Sequence, residues 1–197
     1  LGFIGRDNSG LSVYQPASGV NAGDRLYIPR AISANYRGQI QLSGVGPVQD
    51  GGVRILSAGN PLPAPLSVNP ADAVSDDGGL STRLEGVLVR VDNVTVLDVN
   101  PDAGPGDRAP INEFVVSGAL RVNDYLYLVT PFPVVGAQYQ SILGVLEYRN
   151  GDFKLEPRSA ADLITGPAVV TALSPEQVYL REGQSTTLPQ PLVVRLS

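Results

Sequence analysis

The chain of 197 residues contains no Cys and no His. That excludes a thiol nucleophile, an imidazole base, a Ser-His-Asp triad and the usual structural zinc sites. Three sets of side chains remain that could do chemistry. In the first, Asp98, Asn100, Asp102 and Asp107 stand at the alternating spacing with which a loop wraps a hard cation, which makes Ca2+ the one cofactor to consider. Gly104 falls one position after the sharp-turn glycine of an EF-hand loop, and Ala109 stands at the twelfth place instead of Glu. A solvated loop rich in turn formers is the plainer reading. Asp72, Asp76 and Asp77, flanked by Ser75, Gly78 and Gly79, read as a solvated acidic linker before they read as a metal site.

The second set is aromatic and basic. Small barrels bind single-stranded nucleic acid by stacking bases on exposed aromatics while Arg or Lys holds the backbone. Candidates are Tyr14, Arg25, Tyr27, Arg30, Tyr36 and Arg37 in the first half, and Tyr125, Tyr127, Tyr148, Arg149, Lys154 and Arg158 in the second. The same tyrosines could instead close barrel ends and bond through their hydroxyls. The net charge of −5, from 14 basic and 19 acidic residues, opposes the dense phosphate neutralisation of non-specific DNA binding.

The third set is Glu85, Glu113, Glu147 and Glu156. Paired carboxylates hydrolyse glycosides only at a defined separation across a cleft. Glu147 with Arg149, and Glu156 with Arg158, lie two residues apart on common strand faces, which reads more simply as surface ion pairs. No catalytic residue is assigned, and the chain is read as non-catalytic.

These side chains must be carried mostly by strands. With 22 Gly and 17 Pro few windows suit a helix, and short runs of Val, Ile, Leu and Tyr recur between turn residues. The expected strands are 1–6, 11–14, 25–34, 39–42, 53–56, 84–98, 113–116, 125–129, 141–148 and 153–156, with helical turns only at 71–75 and 159–163. In the longest, Val87, Val89 and Val91 alternate with Leu88, Arg90 and Asp92 until Asp92-Asn93 breaks the pattern. Gly86 marks a bulge or coil at a barrel corner.

The halves resemble each other. Asp24-Arg-Leu-Tyr-Ile28 followed by Tyr36-Arg-Gly38 matches Asp124-Tyr-Leu-Tyr-Leu128 followed by Tyr148-Arg-Asn-Gly151, so each half carries an apolar strand and then a hairpin with a Gly turn. The expected fold is all-β: two tandem OB-like small barrels followed by the start of an immunoglobulin-like β-sandwich. Residues 1–57 form the first barrel, without its opening strand. Residues 58–82 form a Pro/Gly/Asp-rich connector, 83–165 the second barrel, and 166–197 a linker with the first sandwich strands. Residues upstream of Leu1, or another chain, are expected to cover the open edge of the first barrel. The chain lacks Met, which reads as a piece of a longer product, and it carries neither an apolar run long enough to span a membrane nor a signal peptide.

The segments Gly2-Phe-Ile-Gly-Arg-Asp-Asn-Ser-Gly-Leu-Ser-Val-Tyr14, Ala22-Gly-Asp-Arg-Leu-Tyr-Ile28, Pro63-Ala-Pro65, Leu84-Glu-Gly-Val-Leu-Val-Arg90 and Lys154-Leu-Glu-Pro-Arg158 occur in an order that resembles a known region. It is the OB-fold accessory region preceding the catalytic domain in secreted bacterial nucleases of the endonuclease/exonuclease/phosphatase class. The resemblance covers roughly residues 1–165, and departs at Gly5-Arg6, where the family commonly has an apolar residue followed by Gln. It implies a secreted or cell-surface location and a module associated with nucleic acid. It does not imply nuclease activity, because the catalytic Asp, Glu and His motifs are absent.

Two functions are therefore expected of this segment. The first is a structural or adhesive module of a larger secreted or cell-surface bacterial protein, partnered by other domains of the chain or other subunits. The second is a nucleic-acid or polyanion binding module accessory to an extracellular nuclease. Buried tyrosines and dispersed arginines fit the first; exposed tyrosines beside clustered arginines fit the second.

Overall fold

The computed structural model describes residues 9–14, 19–74, 80–166, 170–172 and 194–196. The chain divides into two compact units, Leu1–Thr165 and Gly166–Ser197.

In the first unit, the half that begins the chain forms strands β1 (Ser12–Val13), β2 (Arg25–Tyr27), β3 (Ile32–Tyr36), β4 (Gln39–Ser43) and β5 (Arg54–Ser57). Pro29 interrupts the run expected as one strand, dividing it into β2 and β3. Strand β4 lies between β1, which it pairs in parallel, and β3, its hairpin partner, while β2 pairs with β5 in a separate sheet. No pairing among the described residues closes these two sheets into a barrel. The expected strand 1–6 lies outside the described residues.

The second half closes. Its strands are β6 (Leu66–Ser67), β7 (Leu88–Asp98), β8 (Phe114–Val116), β9 (Leu120–Val122), β10 (Gln138–Arg149), β11 (Asp152–Glu156) and β12 (Leu163–Thr165). Neighbours run β7-β8-β9-β11-β10 and back to β7, antiparallel except for the parallel pair β9–β11. This is the five-stranded closed barrel with the strand order of an OB-fold. The long strands β7 and β10 close it by changing partner along their length, while β6 and β12 extend it on β7 and β10.

Valine alternation explains β7 up to the break seen in its sequence. Val89 and Val91 face inward, Asp92 and Asn93 are exposed, and Val94 and Val96 face inward again. The pleat changes phase at Asn93, which has φ +53°, as a bulged and bent strand requires. Val89, Val91, Phe114, Val116, Leu120, Val122, Ile142, Leu146 and Leu155 make a shared core, each stabilising by roughly 1.5–3 kcal/mol on burial. Helix α1 (Leu80–Leu84) contributes Leu84, and the helical turn Pro70–Ala73 contributes Ala73, both fully buried in that core.

The repeat is visible in the two tight hairpins. The β3–β4 turn has Arg37 at φ +53° and Gly38 at +96°, and the β10–β11 turn has Asn150 at +54° and Gly151 at +93°. Both central residues take positive φ in each, the turn whose twist matches paired strands.

In the second unit, β13 (Val170–Ala172) pairs antiparallel with β14 (Val194–Leu196). The rest of the expected sandwich, including 180–183, lies outside the described residues.

Candidate nucleic-acid interface

The outward face of β9, β11 and β10 carries Arg121 and Asn123, then Lys154 and Glu156, then Glu147 and Arg149, by alternation from the buried Val122, Leu155 and Leu146. Its outer layer is the β1–β4–β3 sheet, through Ser12, Gln39 and the hairpin tip. Ser12 Oγ donates to Glu147 Oε1 at 3.4 Å and accepts from Gln39 Nε2 at 3.2 Å. Arg37 Nη1 donates to the Pro105 carbonyl at 2.9 Å, tying the hairpin tip to the β7–β8 loop. Gly38 lies so close to the Tyr148 ring that a Cβ there would collide with it.

A cleft opens between these layers. Its larger part, about 760 Å³, is walled by Ser12, Val13, Tyr14, Tyr36, Gln39 and Gln41 from the small sheet, and by Tyr125, Leu126, Glu147 and Arg149 from the barrel. A polar part of about 220 Å³ runs on between the hairpin tip (Tyr36, Arg37), the β7–β8 loop (Gly106, Asp107, Arg108, Pro110, Ile111, Glu113), Asn123, Asp124, Tyr125 and the β10–β11 turn (Arg149, Asn150). Tyr36, Tyr125 and Arg149 line both parts. Tyr14, Tyr36 and Tyr125 are each at least half exposed. Arg149 stacks on Tyr125 with its guanidinium carbon 3.6 Å from the ring centroid, and Arg37 lies 5.6 Å from that of Tyr36.

Five of the sequence candidates thus meet: Tyr14, Tyr36, Arg37, Tyr125 and Arg149. The other seven do not. Arg30 is exposed between β2 and β3 and lines neither part of the cleft. Arg25 and Tyr27 stand on β2, where Arg54 rather than a cleft residue lies over the Tyr27 ring at 5.8 Å. Tyr127 packs against the barrel core, and Tyr148 packs edge-on against Phe153 at 5.0 Å. Arg158 is held bidentately by Asp162, at 2.8 and 2.7 Å. That pairing raises the guanidinium pKa and lowers that of the Asp162 carboxyl. Lys154, expected as a backbone contact, is fully buried between Glu113 and Asp107, the latter at 3.2 Å.

Glu113 also accepts from Arg121 Nη1 at 3.0 Å, and Arg121 Nε lies 3.1 Å from Asp152. The network engages the loop considered for calcium. Asp107 Oδ2 accepts from Lys154 and from Gly104 N at 2.8 Å, the Asp102 carbonyl accepts from Arg121, and Asp98 Oδ1 accepts from Asn100 N. Among the described residues no three acidic side chains are grouped to hold a metal ion. Asp72 is exposed within the helical turn Pro70–Ala73, and Asp76 and Asp77 lie outside the described residues.

The surface pairs read from the glutamates are corrected in one case. Glu147 Oε2 is 3.5 Å from Arg149 Nη1, but Glu156 is fully buried and accepts from Asn123 Nδ2 at 2.7 Å, leaving Arg158 to Asp162. Burial, with a smaller push from Glu147, raises the Glu156 pKa to about 7 against the lowering effects of Asn123, Arg149 and Lys154. Burial likewise raises Glu85, with Glu147 adding to it and the Ile40 backbone opposing.

Sequence reasoning missed Gln39, Gln41, Ser12 and Arg108 as cleft residues. The β4 alternation places Gln39 and Gln41 on one face, but nothing local says which face meets the barrel. No protein-family model matches the chain, and neither a curated protein nor a solved structure matches it significantly. The reading of the cleft therefore rests on its own chemistry.

Proposed function

We propose that the chain is a non-catalytic module that binds an extended single-stranded nucleic acid in this cleft, as an accessory part of a longer secreted or cell-surface protein. The observation that carries the reading is the convergence of Tyr14, Tyr36 and Tyr125, all half exposed, with Arg37, Arg108 and Arg149 on one side of an OB-type barrel. Stacked bases need open aromatic faces, and these tyrosines provide them.

The register supports an extended ligand. Tyr36 lies opposite Gln39 on one side of β4, while Tyr14 continues β1 beyond Ser12, which lies opposite Gln41 on the other side. The two tyrosines are then roughly 16 Å apart across the sheet, from a strand spacing of ~4.8 Å and a rise of ~3.3 Å per residue. Among the described residues neither Arg37 nor Arg108 pairs with a carboxylate, so both are available to phosphate despite the net charge of −5. Neutralising only two or three phosphates makes the binding mildly salt-dependent, with a log–log slope of about −1.4 to −2.

Fluorescence anisotropy of a labelled mixed-sequence single strand tests this reading. A saturable rise at low salt that weakens with that slope supports it, and a flat signal at low salt rejects it.

A second reading, the structural or adhesive module, draws support from a different surface. Leu128, Val134 and Val135, between β9 and β10, are more than half exposed, as residues that meet another protein often are. Light scattering and crosslinking of the intact protein test it, with an isolated monomer as the outcome against it.

A further inference from the structure

The cleft contains an acceptor whose hydrogen bonds the chain leaves unmade. Glu147, on β10, is only 9% exposed and lines the larger part of the cleft. An ionised carboxylate offers about four acceptor sites. Here Oε1 receives a single long bond of 3.4 Å from Ser12, and Oε2 receives none. Arg149, the one cation paired with it among the described residues, lies 3.5 Å from Oε2 and is engaged with the Tyr125 ring. A nearly buried carboxylate oxygen with an ion pair at 3.5 Å but no hydrogen bond is under-satisfied, which is uncommon enough to need a reason.

The surrounding bonds set the polarity of the spot. Gln39 donates its amide to Ser12, and Ser12 donates its hydroxyl onward to Glu147. One N–H of the Gln39 amide and the Ser12 hydroxyl are thus engaged within the protein, and Glu147 is the acceptor at the end of this hydrogen-bond chain, with Oε2 itself turned away from solvent. The carboxylate turns easily about its last torsion, and by turning out of the long Ser12 bond it would bring Oε2, which has no solvent contact in the empty cleft, to a ligand between Tyr36 and Tyr125 together with Oε1.

We infer that Glu147 is a specificity-determining residue that selects bases presenting amino or imino N–H groups, guanine above all. This rests on the single-strand reading of the cleft. Splayed bases expose their Watson–Crick edges for such bonding. Guanine presents N1–H and the N2 amine side by side, which match the two oxygens of one carboxylate. Thymine offers a single N3–H flanked by two carbonyl oxygens, which the carboxylate repels.

The test uses thymidine oligomers that carry, at one central position, guanine, hypoxanthine or thymine. Hypoxanthine keeps the N1–H but lacks the N2 amine. Anisotropy is expected to give affinities in the order guanine, hypoxanthine, thymine, with the extremes about tenfold apart, the scale of one good bidentate contact. In the near-isosteric Glu147→Gln the guanine preference collapses: affinity for the guanine oligomer falls toward that of the thymine oligomer, which itself does not fall because a negative charge has gone. Thermal unfolding of the variant checks that it folds; should it not, Glu147→Asp, which keeps the carboxylate but shortens its reach, must reduce the same preference. Equal binding of the three oligomers to the unaltered protein, or an unchanged preference in a folded Glu147→Gln, overturns the inference and leaves the single-strand reading standing. Binding of none of them overturns both.

Discussion

Arg149 covers one face of the Tyr125 ring at 3.6 Å while its Nη1 stays 3.5 Å from Glu147. A guanidinium held this way remains charged and planar, orients the ring toward the cleft and cannot swing away without losing the stack. It couples the aromatic wall to the acidic floor.

Replacing Tyr125 with Ala is expected to weaken single-strand binding by about 1–3 kcal/mol, the usual worth of one stacked base. Tyr125→Phe keeps the ring and should bind nearly as well. Titration of a fluorescent oligonucleotide compares them, and an equal loss in both variants would show that the hydroxyl, not the ring face, matters.

The buried Lys154–Glu113 pair predicts a large stability effect rather than a binding one. Lys154→Ala leaves Glu113, 1% exposed, with its Arg121 contact but without the ammonium, and removal of one partner of a buried pair costs about 3–5 kcal/mol. Joint replacement by Met at 154 and Leu at 113 should cost less, because neither member of the fully buried pair is left unpaired, while Asp107 keeps the Gly104 N–H and Arg121 keeps Asp152. Urea unfolding of both variants measures the difference.

Glu156 makes stability pH-dependent with a definite sign. Burial pushes its pKa up to about 7 in the folded chain from the ordinary 4.5, so folding favours the protonated form. Its contribution is complete below 4.5 and is lost as pH rises through 7, amounting to ~3 kcal/mol at most. Glu156→Gln should flatten this loss and make the chain more stable than the parent at pH 8. Asp162 does not confuse the window, because its lowered pKa puts the loss of the Arg158 pair below 3.8. Thermal melts between pH 4 and 8 decide.

Gly38 combines a φ of +96° with the Tyr148 ring against its Cα. Gly38→Ala should therefore displace the hairpin tip and lower both stability and ligand affinity, by an amount on the order of 1–3 kcal/mol for a strained backbone position. Gly51 also has positive φ but faces open space, so Gly51→Ala should leave binding intact. Parallel melts and titrations of the two variants separate backbone strain from loss of the cleft wall.

Much of the barrel was legible from local pattern. The valines of β7, the break at Asp92-Asn93 and the turn glycines of both hairpins each follow from sterics and alternation within a few residues. The run 125–129 misled, because Tyr-Leu-Tyr-Leu alternates like a strand. The structure forms β9 at Leu120–Val122 instead, where parallel pairing with β11 is available. The run has no ladder partner among the described residues and is followed by Pro131 and Pro133, which cannot donate to a sheet; Tyr125 and Leu126 are exposed at the cleft.

The sequence by itself determined the all-β class, the closed second barrel and the pool of tyrosines and arginines from which an interface could be drawn. The tertiary structure alone decided which of them meet. Phe153 and Leu155 announce a core face in any strand, but Lys154 and Glu156 read as solvent-facing until a distant segment covers them. For Lys154 that cover includes Asp107 and Glu113, 47 and 41 positions away, and for Glu156 it includes Asn123, 33 positions away, while Glu147 is bonded from the other half by Ser12, 135 positions off. Alternation encodes two faces of a strand and is silent about what lies across from either, so the partners of Lys154 and Glu156 are set only when the barrel and its β7–β8 loop close, and the cleft arises only when the two halves pack.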